Sequence, residues 1–184
     1  VHFCAAVGSL LARGATRTFP HRDYAALEEQ LRQQAAADLS LPLNKRHRLF
    51  ILVEGVYAVD GAIADLPTLL RLRDTYGCYL IVDESLSFGV LGASGRGVAE
   101  HFGREPREID ILIGTMEHSL ASVGGFCAGP QWVVSHQRLS GTGYCFSASL
   151  PAYATCAALE ALKQLEAQPQ RLARLAANSA AMHA

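Results

Sequence analysis

The chain has 184 residues, 50% of them hydrophobic, 18% charged and 8% aromatic, which excludes a disordered segment, a collagen and a disulfide-stapled mini-protein. A formal charge of -1 gives no footprint for nucleic acid. The first residue is Val1, consistent with a piece of a longer protein, and the five cysteines are an odd number with no C-x-x-C pair, so reduced, buried thiols of an intracellular protein are expected rather than a zinc site.

Helical and strand patterns alternate along the chain, predicting an α/β fold with a parallel or mostly parallel sheet covered by helices. A helix is expected over about residues 2–12, a short strand near 17–19, and then a helix begun by Asp23 with Leu27 and Leu31 on one face. The run Asn44-Lys45-Arg46-His47-Arg48 reads as a solvated loop before a buried strand at 49–53, with a recognition patch as the alternative. A helix at about 66–76 leads into an uncharged strand at 78–82 that reads as buried on both faces. Further strands are expected at 109–113 and 124–127. Ser149 is expected to cap a long alanine-rich helix with Pro151 in its first turn, and a last helix covers about 169–182.

Residues 139–159 form an uncharged stretch of 21, but eight of these are Ser, Thr, Gly or Pro and Pro151 divides it, so no bilayer span is expected there. Any membrane anchor is expected to lie in sequence outside this chain or on a partner.

Ligands in open α/β sheets collect at the carboxyl ends of strands, which makes Asp83 and Glu84 the first suspects. Asp83 there could bind a ring nitrogen or a metal, or cap a loop. The glycines of Gly92-Ala93-Ser94-Gly95-Arg96-Gly97 read as a turn, with a phosphate cradle as the alternative. Ser119 and Ser122 lack the pattern of a hydrolase nucleophile, and no histidine pair stands at i, i+4, so metal binding has no support.

The run Asp83-Glu84-Ser85-Leu86-Ser87-Phe88-Gly89-Val90-Leu91-Gly92, followed by Gly95-Arg96-Gly97, resembles the α-oxoamine synthase family. Those are pyridoxal-phosphate enzymes of the fold type I transferase kind that condense an amino acid with an acyl-CoA. Glu54-Gly55-Val56-Tyr57-Ala58-Val59-Asp60-Gly61 is similar to the family's upstream segment, residues 114–126 to its lysine segment, and Phe146-Ser147-Ala148-Ser149-Leu150-Pro151 to the loop that follows. The four blocks run in the family's order. The resemblance implies that 1–165 is part of the large, cofactor-type domain and that 166–184 begins the small-domain region.

Within the family the likeness is greatest to the long-chain-base subunits that do not hold the cofactor. A lysine is needed for the Schiff base, an acid for the ring nitrogen, and neutral or positive groups around the phosphate. The resemblance puts His118 at the lysine position, Glu117 at that of a phosphate-holding serine, and Leu86 at that of a ring-contacting histidine, so no catalytic residue is expected here. Asp83 and Thr115 remain as remnants of the cofactor site. A carboxylate about 4 Å from a phosphate costs roughly 1 kcal/mol per charge pair even at the permittivity of water.

The resemblance therefore implies a heteromer with a lysine-bearing subunit that holds the pyridoxal phosphate. L-serine and palmitoyl-CoA would meet at the shared interface, Ser147 and Ala148 would lie toward the partner's cofactor phosphate, and the complex would sit at the cytosolic face of the endoplasmic reticulum membrane. The alternatives are a self-sufficient synthase of the glycine C-acetyltransferase kind and an inactive scaffold or truncated product.

Overall fold

In a computed structural model, which describes residues 3–12 and 14–183, four strands form one sheet in the order β1-β2-β3-β4. The strands are β1 (Phe50–Glu54), β2 (Tyr79–Asp83), β3 (Ile111–Thr115) and β4 (Gly125–Ala128). The first three are parallel, with Glu54 opposite Asp83 and Asp83 opposite Ile113, and β4 returns antiparallel with Thr115 opposite Gly125. This is the mostly parallel α/β architecture expected from the alternation of patterns.

Eight helices accompany the sheet among the described residues: α1 (Phe3–Leu11), α2 (Tyr24–Leu39), α3 (Leu66–Tyr76), the short α4 (Val98–His101), α5 (Gln131–Ser140), the short α6 (Thr142–Cys145), α7 (Ala152–Ala167) and α8 (Gln170–His183). Local chemistry sets several of their ends. Asp23 caps α2 by accepting from the Ala26 N–H at 2.9 Å, and Asp65 caps α3 through Thr68. Gly77, at φ 63°, ends α3 in the left-handed conformation that costs glycine nothing, and Cys78 N–H then closes on the Arg73 carbonyl.

The core lies between one face of the sheet and α2 and α3. Ile51, Val53, Leu80 and Val82 point into it from alternate strand positions and meet Leu27 and Leu31 of α2 and Leu66, Leu69, Leu70 and Leu72 of α3. Each such side chain contributes about 1.5–3 kcal/mol by leaving water. The opposite face is less covered: Tyr79 and Ile81 of β2 are half-buried, so this strand is buried on one face rather than on both.

Three further expectations need correction. Residues 17–19 form no strand, since no neighbouring strand pairs with them. Ser149 does not cap α7, because the helix starts three residues later, at Ala152, and its N-cap is Pro151, with no side-chain hydrogen bond. Helix α5 was absent from the sequence reading. The expectation of buried thiols holds at one position: Cys78 is buried where α3 meets β2, Cys127 is half-buried, and Cys4, Cys145 and Cys156 stand exposed on helices. Among the described residues no helix is long and apolar enough to cross a membrane, and no cluster of His, Cys, Asp and Glu could hold a metal.

Candidate functional site at the strand ends

The parallel register sets Glu54 level with Asp83 and Asp83 level with Ile113, so Thr115 lies two residues further on at the same carboxyl end of the sheet. Asp83 and Glu84 are both buried, at 4% and 3% exposure. Asp83 Oδ1 accepts from the backbone N–H of Ser85 at 2.9 Å, and Ser85 Oγ in turn accepts from the Thr115 N–H at 3.0 Å. Ser85 thus ties the end of β2 to the end of β3. Oδ2 of Asp83 takes no hydrogen bond among the described residues, so the carboxylate is only half committed to the loop.

Glu84 turns inward and organises the following loop. Its two oxygens accept from the Val98 N–H at 3.1 and 3.2 Å, and the Ser87 hydroxyl, fully buried, donates to Oε2. Burial pushes the Glu84 carboxyl above its ordinary range, the Ser87 and Val98 hydrogen bonds oppose that shift, and the neighbouring Asp83 adds to it. Two glycines make room. A Cβ on Gly55 would strike Ser87 Oγ, and one on Gly97, at φ 86°, would meet Glu84 Cδ at 2.6 Å and Oε1 at 2.7 Å.

The segment between β3 and β4 closes as a compact turn. Met116 N–H donates to the Gly124 carbonyl at 2.9 Å, Ser122 N–H to Met116 at 2.9 Å, and Ala121 N–H to His118 at 3.1 Å, with Ala121 itself at φ 47°. Thr115 Oγ1 accepts from the Glu117 N–H at 3.2 Å and donates to the Gly124 carbonyl at 3.3 Å. Ser119 and Ser122 are spent on structure: their hydroxyls donate to the carbonyls of Phe88 at 2.6 Å and Ala154 at 2.7 Å. Glu117 and His118 are exposed on this turn, and Leu86 is half-buried in the loop after β2.

The structure therefore joins Asp83 and Thr115 through Ser85 and leaves His118 on the surface of the adjoining turn. Ser147 and Ala148 are exposed in the segment between α6 and α7. Gly92, Gly95 and Gly97 all have positive φ and form a turn fixed by Glu100, which accepts from the N–H groups of Ser94 and Arg96. The roles of Ser85 and Ser87 escaped the sequence reading. The adjacent acid pair at a strand end was the available signal for Glu84.

The chain belongs to the class I and II aminotransferase family, which it matches over residues 7–184. It is similar to long chain base biosynthesis protein 1c of Oryza sativa subsp. japonica, with 43% identity over all of this chain and 37% of that protein. Serine palmitoyltransferase 1 of Dictyostelium discoideum is 41% identical over 94% of this chain and 35% of its own length. The chain thus spans little more than a third of these relatives. Among solved structures, a Sphingomonas wittichii serine palmitoyltransferase superimposes with a TM-score of 0.84 at 30% identity, covering 97% of this chain and 42% of that one. An SPT holding pyridoxal phosphate as an internal aldimine matches with the same score, identity and coverage.

The residues here do not fit a covalently held pyridoxal phosphate. The turn after β3 carries an imidazole, His118, and a carboxylate, Glu117, and imidazole forms no stable imine with an aldehyde. The chain has two lysines. Lys45 precedes the amino end of β1, away from the strand ends that carry Asp83, and Lys163 is exposed on α7. Leu86 has no hydrogen to donate to a ring oxygen.

Proposed function

We propose that this chain is part of a serine palmitoyltransferase subunit that leaves pyridoxal phosphate to its partner. In this reading it forms a heteromer with a lysine-bearing member of the same family. The pair condenses L-serine with palmitoyl-CoA to 3-ketodihydrosphingosine, carbon dioxide and CoA, in the synthesis of sphingolipids. A location at the cytosolic face of the endoplasmic reticulum membrane goes with that reading. The observation that carries it is His118 on the exposed turn after β3, with no amine elsewhere at the strand ends.

The partner's cofactor supplies the electron sink for the condensation. This chain's own contribution is positional. The Ser85 bridge and the Glu84 network fix the ends of β2 and β3, and Ser147 and Ala148 lie toward the partner's cofactor phosphate. They precede α7, whose N-cap is Pro151 with no side-chain acceptor. The first N–H groups of that helix and the positive end of its dipole suit a phosphate.

The test is to co-express the chain with a lysine-bearing homologue, reduce with borohydride and map the pyridoxyl group. The group is expected on the partner alone, with serine-dependent release of CoA by the pair and not by either chain separately. Stoichiometric labelling of Lys45 or Lys163 would refute the reading.

A further inference from the structure

The basic run that joins α2 to β1 is built rather than slack. Asp38, only 8% exposed, accepts from the His47 backbone N–H at 3.1 Å and from Gln34 Nε2 at 3.0 Å, and lies 2.6 Å from His47 Nδ1. The His47 contact holds the Asp38 carboxyl below its ordinary range. A 3-10 turn at Leu43–Lys45 and a bond from Arg46 Nε to the Leu41 carbonyl at 3.4 Å complete the arrangement.

Held this way, the loop presents Lys45, Arg46 and Arg48 on the surface, and none of the three forms an ion pair among the described residues. Residues 39–53 contain no Asp or Glu to neutralise them. Two large apolar side chains stand among the cations, Leu39 at 73% and Leu43 at 80% exposure. Leu39 and Arg46 line one cleft with Asp38, His47, Leu49, Tyr76 and Gly77, and Leu43 shares the 3-10 turn that presents Lys45.

A solvated connector needs neither the buried acid that clamps it nor exposed leucines. Nucleic acid is disfavoured, because three cations on a chain of net charge -1 make a narrow field. Cations interspersed with exposed leucines match the boundary between anionic headgroups and acyl chains. We propose that the α2–β1 loop docks on an anionic lipid surface, with Lys45, Arg46 and Arg48 at headgroup level and Leu39 and Leu43 in the acyl boundary. The loop enters β1 at its amino end, about 15 Å of strand from the level of Asp83, so docking leaves the strand-end site uncovered. The inference deepens the membrane location proposed above, and because its test uses this chain alone it can fail while the proposed activity stands.

Each cation near an anionic surface strengthens binding about fivefold. The test is sedimentation of the full chain with phosphatidylcholine vesicles, with and without phosphatidylserine, across a salt series. Binding is expected only to the anionic vesicles and is expected to fall as salt rises. Replacing Lys45, Arg46 and Arg48 with Gln should weaken it about a hundredfold. Leu43→Ser, at an exposed position, should weaken it severalfold while circular dichroism stays unchanged. Equal binding to both vesicle types, or undiminished binding by the triple variant, would overturn the proposal. So would heparin binding combined with indifference to Leu43→Ser, which would assign the patch to a soluble polyanion.

Discussion

Gly97→Ala tests whether Glu84 organises the strand-end loop. Two costs are expected. At φ 86° and ψ -159° the backbone lies in an extended positive-φ region essentially reserved for glycine, which costs an L residue about 1–3 kcal/mol. The new methyl also meets the Glu84 carboxylate within 2.6–2.7 Å of Cδ and Oε1, and that group is 3% exposed and bonded to Val98 and Ser87. If the carboxylate swings away, the Val98 N–H and Ser87 hydroxyl lose their acceptor inside the protein, at about 1–3 kcal/mol. The sum is about 2–6 kcal/mol.

Gly103→Ala is the comparison, because Gly103 has φ 63° and nothing within 4 Å of the added carbon, so it carries a positive-φ cost with no new contact. Urea unfolding of both variants cancels the effect of the methyl on the unfolded chain, and the remaining difference holds the contact together with the stricter backbone of Gly97. With an m value of about 2 kcal/mol per molar, the Gly97 variant is expected to lose roughly 1 M more in midpoint than the Gly103 variant. A double-mutant cycle with Glu84→Ala should recover most of that difference. Equal midpoint shifts for the two glycines would refute the reasoning, because Glu84 would then be free to yield.

Ala121→Gly is expected to stabilise the turn after β3 by about 0.5–1 kcal/mol, since relief of the φ 47° conformation outweighs the added freedom of the unfolded chain; thermal denaturation reads it. The raised Glu84 carboxyl favours the fold when protonated, so its contribution is full below pH 4.5 and fades as pH rises through the higher folded value. Glu84→Gln should flatten that part of the stability–pH curve. Asp38 has the opposite sign: its lowered carboxyl stabilises the fold above pH 3.8 and loses this as pH falls. Asp38→Asn should flatten the acid limb in the same titration. His118→Lys alone is expected not to bind pyridoxal phosphate tightly, because Glu117 and Leu86 still oppose phosphate and ring. Adding Glu117→Ser and Leu86→His should improve binding beyond any single change, and tight absorbance-monitored binding by the single variant would show Glu117 to be harmless.

Helix α3 was legible at both ends because its signals are local: an Asp65 cap at one end and an αL glycine at the other. The strand expected at 17–19 failed for the converse reason, since a strand is completed by a neighbour and the sequence names none. Helix α5 buries Val133 alone, so it lacks the apolar stripe on which a periodicity reading depends. Within the site, Asp83 and Glu84 could be singled out as a strand-end pair. The Ser85–Thr115 bridge spans thirty positions and exists only because β2 and β3 are in parallel register, which no local pattern specifies.

The division between what the site keeps and what it lacks follows burial. Asp83, Glu84, Ser85 and Ser87 are all under 9% exposed and are tied into β2, β3 and the Val98 backbone. Changing any of them strands a buried polar group, so the fold itself demands them whether or not a cofactor is ever bound. Glu117 and His118 sit exposed on a turn whose hydrogen bonds run through the backbone, Thr115 and Ser122 instead. A side chain there can change at almost no cost to stability. An amine at position 118 would be held by its chemistry alone, and a subunit relieved of that chemistry by a partner can lose it while keeping every buried member of the site.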